Sequence, residues 1–261
     1  MKRMKIAICQ FEIQYLQYQE NLRRAKQMIH EVAQNQAACI VFPEMSFTGF
    51  SMDTQQTALY GDAACDAVRQ CAIQEQIAIG FGWVRMAANG LGENHYAFID
   101  CNGKWILDYI KIHPFSYAQE DRFFNGGTNL PTALLDSLSF QCAICYDLRF
   151  PELFRIHAKH ICAAFVPANW PAKRSEHWRA LLTARAIENQ MYIIGINCVG
   201  VQDGQFYDGN SMVIAPDGTV ICDCKSQEGV FYAELHPHEV QTLRKSFPAL
   251  HDMRPDLYKK L

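Results

Sequence analysis

Three side chains of complementary chemistry each follow an apolar run of strand length: Glu44, Lys111 and Cys145. A thiol can act as nucleophile, a carboxylate can take its proton and later activate water, and an ammonium favours a thiolate and a developing oxyanion. Cys145 lies in residues 139–153, where an apolar run stops at the cysteine and Pro151 and Glu152 open a helix-spaced segment. Proline suits the first helical position, and an acid in the first turn suits the helix dipole. The thiol then projects from a strand-to-helix turn, with the Tyr146 backbone N–H facing whatever the sulfur attacks, as in the serine nucleophile elbow. Each residue also has a bland reading: Cys145 as an inert core thiol, Glu44 and Lys111 as solvated charges. Their shared position favours chemistry, because open α/β sheets bind ligands beyond the C-terminal ends of their strands.

The elements that must hold these residues can be read in order. Residues 4–11 alternate as a strand, and 21–32 carry Leu22, Ala25, Met28, Ile29 and Val32 at helical spacing. Residues 38–42 are continuously apolar, as in a strand buried on both faces, and run into Pro43-Glu44. A helix over 62–76 and strands over 77–84 and 94–100 follow; Asn102-Gly103 is a hairpin turn, and the return strand 104–110 delivers Lys111. Residues 112–130, with Pro114, Glu120, Asp121 and Gly126-Gly127, form an irregular segment of the length that functional loops have.

From residue 138 the same order starts again. A strand over 138–144 leads to a helix from Pro151 and a strand over 161–166. The loop Pro167-Ala168-Asn169-Trp170-Pro171 stands where the Pro43-Glu44 loop stood. A helix with Ser175 as N-cap, a strand over 191–197, a hairpin from 210–215 through Asp217-Gly218 to 219–222, and a strand over 229–235 complete the series. Two similar βαβαββ halves in one domain are predicted, with sheets inside and helices outside. That domain is residues 1–261, with a core of about 4–235 and a C-terminal segment 236–261 of mixed helix and tail.

Composition narrows the function. At 261 residues, 49% hydrophobic and 20% charged, the chain can bury a sizeable core. A net charge of -3 gives no electrostatic case for nucleic acid or an anionic membrane. The apolar run behind the basic start ends at Gln10, too short for a signal-peptide core, and no later stretch could span a bilayer. A cytoplasmic protein is expected. Eleven scattered cysteines, an odd count, read as reduced thiols. Cys142 and Cys145 spell C-x-x-C but would point to opposite faces of a strand, and Cys222 and Cys224 lack a second ligand pair. No metal or cofactor is expected.

Phe42-Pro43-Glu44-Met45, Tyr109-Ile110-Lys111-Ile112-His113 and Ile144-Cys145-Tyr146-Asp147-Leu148-Arg149-Phe150-Pro151-Glu152-Leu153 resemble the motifs of the nitrilase (carbon–nitrogen hydrolase) superfamily. His177-Trp178 and residues 184–190 fit as well, so the resemblance spans nearly the whole chain in the right order. It implies an α/β fold, a four-layer αββα sandwich that commonly dimerises. It implies Glu44 as general base, Lys111 as stabiliser of the tetrahedral intermediate, Cys145 as nucleophile and Glu120 as the second glutamate. The Pro167–Pro171 loop and the helix behind it resemble the bacterial omega-amidase branch, which hydrolyses the side-chain amide of 2-oxoglutaramate or 2-oxosuccinamate. The expected partner is thus a small anionic amide, that of a 2-oxo acid, and the expected assembly a homodimer.

The residues themselves are compatible with such a substrate. Arg174, beside Lys173, can clasp a carboxylate through two parallel hydrogen bonds, and Trp170 can wall a narrow pocket; the bland reading is surface charge and core packing. Arg185 falls on the apolar stripe Trp178, Leu181, Leu182, Arg185, so structural support through an ion pair is expected of it. The alternatives are another carbon–nitrogen hydrolase (an N-carbamoyl amidase, a deaminated-glutathione amidase or a nitrilase), a papain-like thiol hydrolase, for which none of the nine histidines is marked as base, or a binding protein that keeps the fold without turnover.

Overall fold

A computed structural model describes residues 3–258 and 260. The first half contains β1 (Met4–Gln10), α1 (Tyr18–Gln34), β2 (Cys39–Val41), α2 (Thr54–Leu59), α3 (Gly61–Glu75), β3 (Ala78–Met86), β4 (Gly92–Ile99) and β5 (Trp105–Ile110). The short strands β6 (Phe124–Asn125) and β7 (Thr132–Leu135) lead to β8 (Leu138–Cys142), α4 (Pro151–Ile156), β9 (Ala163–Pro167), α5 (Ser175–Asn189) and β10 (Tyr192–Ile196). A hairpin of β11 (Val199–Gln202) and β12 (Gln205–Asp208) precedes β13 (Met212–Ile214), β14 (Val220–Asp223), β15 (Gly229–Leu235), α6 (Pro237–Ser246) and α7 (Pro255–Tyr258).

The two main sheets repeat one plan. One has the order β15-β1-β2-β3-β4-β5, the other β7-β8-β9-β10-β13-β14. In each, three parallel central strands are flanked by one antiparallel strand on one side and two on the other. The central strands are apolar throughout because both of their faces are covered. Along β1 the period of two is visible: Ile6 and Ile8 join the core shared by both sheets, while Ala7 and Cys9 join the cluster that includes Ala25, Ile29 and Val32 of α1 and Val68 of α3. Between the sheets Phe98, Phe140 and Phe165 pack with ring centroids 4.7 to 5.1 Å apart. On the outer face of the second sheet α5 lies so close that a Cβ on Gly195 would meet Leu182 and Trp178 side chains within 3 Å. The layers are therefore helix, sheet, sheet, helix.

Several local expectations change. α1 starts at Tyr18, three residues before the apolar stripe signalled it. α2 had no marked stripe; Asp53 caps it by accepting from the Gln56 N–H at 3.0 Å. The strand before Cys145 stops at Cys142, and the helix after residue 174 starts at Ser175 itself. The Ser175 hydroxyl is not an N-cap; it lies 2.6 Å from both Asp208 carboxylate oxygens and ties the helix to β12.

Candidate active site

Glu44, Lys111, Glu120 and Cys145 are brought together beyond the strand ends, in the gap between the two sheets. Glu44 follows β2 by three residues and is 1% exposed. Its loop is fixed from below: the Tyr96 hydroxyl donates to the Phe42 carbonyl at 2.8 Å, and Ser46 Oγ donates to the Pro43 carbonyl at 2.7 Å. Gly82 of β3 permits this approach, since a Cβ there would stand 2.3 Å from the Met45 nitrogen. Lys111 leaves β5 with its N–H donating to the Asn94 carbonyl and its own carbonyl accepting from Gly127. Its ammonium donates to Glu44 Oε1 at 2.8 Å and to Glu120 at 2.9 and 3.1 Å. The Phe50 ring covers it, 5.4 Å from Nζ.

Glu120 is fully buried on the loop after β5, in the 3-10 turn Glu120–Arg122. It takes the Lys111 ammonium, the Phe115 N–H and Asn94 Nδ2. Asn94 also donates to Glu44 Oε1 at 2.9 Å, so one amide bridges the two carboxylates. Sequence reading passed over Asn94, since an asparagine in a strand carries no chemical signal of its own.

Cys145 opens a single 3-10 turn, Cys145–Arg149, with φ of +48°. That left-handed conformation disfavours any residue with a Cβ, and strain of this kind gathers at functional sites. The sulfur lies 3.9 Å from the Asn169 carbonyl oxygen. Arg185 is buried, with an ion pair to Glu188 at 3.0 Å, as expected; its Nε and Nη2 also donate to the Leu148 carbonyl and so brace the cysteine turn.

Electrostatics follow from burial. Desolvation opposes charge on Lys111, but Glu120 and Glu44 outweigh it and lift its pKa. Burial raises the Glu120 carboxyl, with Lys111 opposing and Glu44 adding to the rise. Burial and the Glu44 carboxylate push the Cys145 thiol well up against the pull of Lys111. Both influences favour the neutral thiol over the thiolate.

Lys111 and Cys145 line a cavity of about 240 Å³. Tyr146, Trp170 and Arg174, all candidates from sequence, line it, as do Lys173 and Arg149. Trp170 is also packing: its indole lies 5.4 Å from Trp178, and its Nε1–H donates to the Arg174 carbonyl at 2.8 Å. Arg174 sits over Phe115 and Tyr117, and Arg149 over Trp170 at 4.8 Å. Burial and the neighbouring Arg174 charge both press the Arg149 guanidinium down. Arg149 stood inside the cysteine motif, but nothing there signalled that it would turn toward the cavity. Away from it, the Cys222 and Cys224 sulfurs lie 3.9 Å apart, and Cys142 is buried in the core between the sheets. No group of three His, Cys, Asp or Glu residues able to hold a metal ion occurs among the described residues.

Comparison with known proteins agrees with this architecture. The sequence profile of the family described as carbon-nitrogen hydrolase matches residues 5–245. The chain is 32% identical over 256 residues to the 2-oxoglutaramate amidase of Bacillus subtilis (strain 168), covering 97% of this chain and 98% of that one. It is 34% identical over 254 residues to the omega-amidase YafV of Yersinia enterocolitica, covering 97% of each. Among solved structures, XC1258 from Xanthomonas campestris, a CN-hydrolase superfamily protein, superimposes with a TM-score of 0.90 at 25% identity, covering 97% of this chain and 98% of that one. An amidase from Nesterenkonia sp. superimposes with a TM-score of 0.88 at 23% identity, covering 98% and 95%. On its sequence over residues 5–245 and on its four-layer fold, the chain belongs to the carbon–nitrogen hydrolase family.

Proposed function

We propose that this enzyme hydrolyses the omega-amide of a small 2-oxo dicarboxylic acid, 2-oxoglutaramate or 2-oxosuccinamate, to the carboxylate and ammonia. The chemistry needs no cofactor. As the Cys145 sulfur attacks the amide carbon, its proton passes to Glu44, which hands it to the departing ammonia. The thioester on Cys145 is then opened by a water that Glu44 deprotonates, and the proton returns to sulfur as the acid leaves. Lys111 Nζ and the Tyr146 N–H stabilise the oxyanion in both steps, while Glu120 fixes the lysine from its far side.

The observation that carries the substrate class is the cavity wall. Arg149, Lys173 and Arg174 line the same cavity as Lys111 and Cys145, and none of the three forms a salt bridge among the described residues. An anionic tail on the amide would complete them. The names of the two relatives support the same class. The alternative is another member of the family, with the same catalytic groups and a different acyl part.

Ammonia release from 2-oxoglutaramate, glutamine, an N-carbamoyl amine and a simple nitrile, with Cys145→Ala as blank, tests both levels. Preference for the oxo-amide supports the proposal. Turnover of a different amide alone discards the substrate and keeps the mechanism; silence on all four discards both. The reading includes one domain over the whole chain, a homodimer and residence in the cytoplasm, and light scattering on the purified protein tests the assembly.

A further inference from the structure

Asp147 is fully buried two residues after the proposed nucleophile. Its Oδ2 accepts the Tyr109 hydroxyl at 2.7 Å and the Ile144 N–H at 2.9 Å. Its Oδ1 accepts the His113 N–H at 3.0 Å and lies 2.8 Å from His113 Nδ1. A carboxylate offers about four lone-pair directions, and here all four are taken. The donors are not arbitrary. Tyr109 and His113 stand two residues before and two after Lys111, and Ile144 immediately precedes Cys145. The His113 ring is clamped further by stacking on Phe150, with centroids 3.7 Å apart and planes at 12°.

We infer that Asp147 is a positioning residue that sets the distance between the Lys111 ammonium and the Cys145 sulfur. Lys111 comes from the first sheet and Cys145 from the second, so their separation depends on how the sheets meet at this end. The ammonium must stand about 3 Å from an oxyanion that exists only while sulfur is bonded to carbon, so small displacements lower the rate rather than the affinity. Asp147 itself touches no reacting atom. The inference rests on the proposed roles of Lys111 and Cys145.

The test is steady-state kinetics on 2-oxoglutaramate for Asp147→Asn and Tyr109→Phe, beside Lys111→Ala and a core variant remote from the site, Ile193→Val. Asparagine presents an amide where Ile144 and Tyr109 need an acceptor, whereas phenylalanine removes one hydrogen bond and leaves the packing. We expect kcat to fall about 30-fold or more in Asp147→Asn and about threefold to tenfold in Tyr109→Phe, with KM within about twofold of wild type, in line with the cost of misplaced catalytic groups. Ile193→Val should lose thermal stability and keep kcat. Iodoacetamide should still label Cys145 fully in both site variants, since the nucleophile stays in place. A kcat in Tyr109→Phe equal to wild type, or losses that merely follow melting temperature, would overturn the inference, also if Asp147→Asn fails to fold. Full turnover in Lys111→Ala would instead overturn the mechanism beneath it.

Discussion

Glu44 and Asn169 hold each other reciprocally. The Asn169 N–H donates to Glu44 Oε2 at 2.9 Å, and Asn169 Nδ2 donates to the Glu44 carbonyl at 2.7 Å. These are equivalent loops of the two halves, one after β2 and one after β9, so the Glu44 carboxylate is aimed by the opposite sheet. Asn169 is held in turn by Gln202, whose Nε2 donates to its Oδ1 at 3.0 Å.

Asn169→Ala keeps the N–H and removes the return bond, leaving a buried carbonyl unpaired at a cost of about 1–3 kcal/mol. Deamidation of 2-oxoglutaramate should slow about tenfold in kcat with KM little changed. A KM effect alone would place Asn169 in substrate binding instead.

Arg149→Ala and Arg174→Ala should each raise KM for 2-oxoglutaramate about tenfold or more, the worth of a charge-assisted hydrogen bond, and leave an uncharged amide nearly unaffected. Comparing the two substrates in each variant checks this. An equal effect on both would remove that arginine from the carboxylate site.

Lys111→Met leaves the Glu44 and Glu120 carboxylates buried without their cation, which should cost about 3–5 kcal/mol of folding stability. Adding Glu120→Gln should restore much of that loss and none of the activity. Urea midpoints for the single and double variants check the coupling; additive losses would contradict it.

The raised Cys145 pKa fixes the direction of its pH response. A thiol shifted upward is neutral at pH 7, and its thiolate fraction grows tenfold per pH unit up to its pKa. Iodoacetamide labelling of Cys145 should therefore keep accelerating from pH 6 to 9. A plateau reached below pH 7, as an imidazolium-paired thiolate gives, would show the opposite shift.

What the sequence discloses and what it hides have a common cause. Glu44, Lys111 and Cys145 follow apolar runs, so their strand-end positions are locally encoded, and Glu120 lies in a segment too long to be a mere connection. Asn94 and Asp147 owe their roles to partners 50 and 38 residues away, which no local pattern records. Arg174 and Trp170 were legible as a loop facing the Glu44 loop, whereas Arg149 depended on which way one 3-10 turn points. The β11–β12 hairpin carries Asp203-Gly204, the same kind of turn signal as Asn102-Gly103, but its strands are short and mostly outside the sheets, so the signal had no apolar alternation beside it.

The left-handed backbone of Cys145 has an evolutionary corollary. A side chain there carries a conformational penalty of about 1–2 kcal/mol that glycine would escape. Selection for robustness alone thus pulls against the thiol, and under the proposed mechanism selection for turnover retains it. Relatives that lost the reaction yet kept the fold should have drifted at this position first, becoming sturdier as they fell silent.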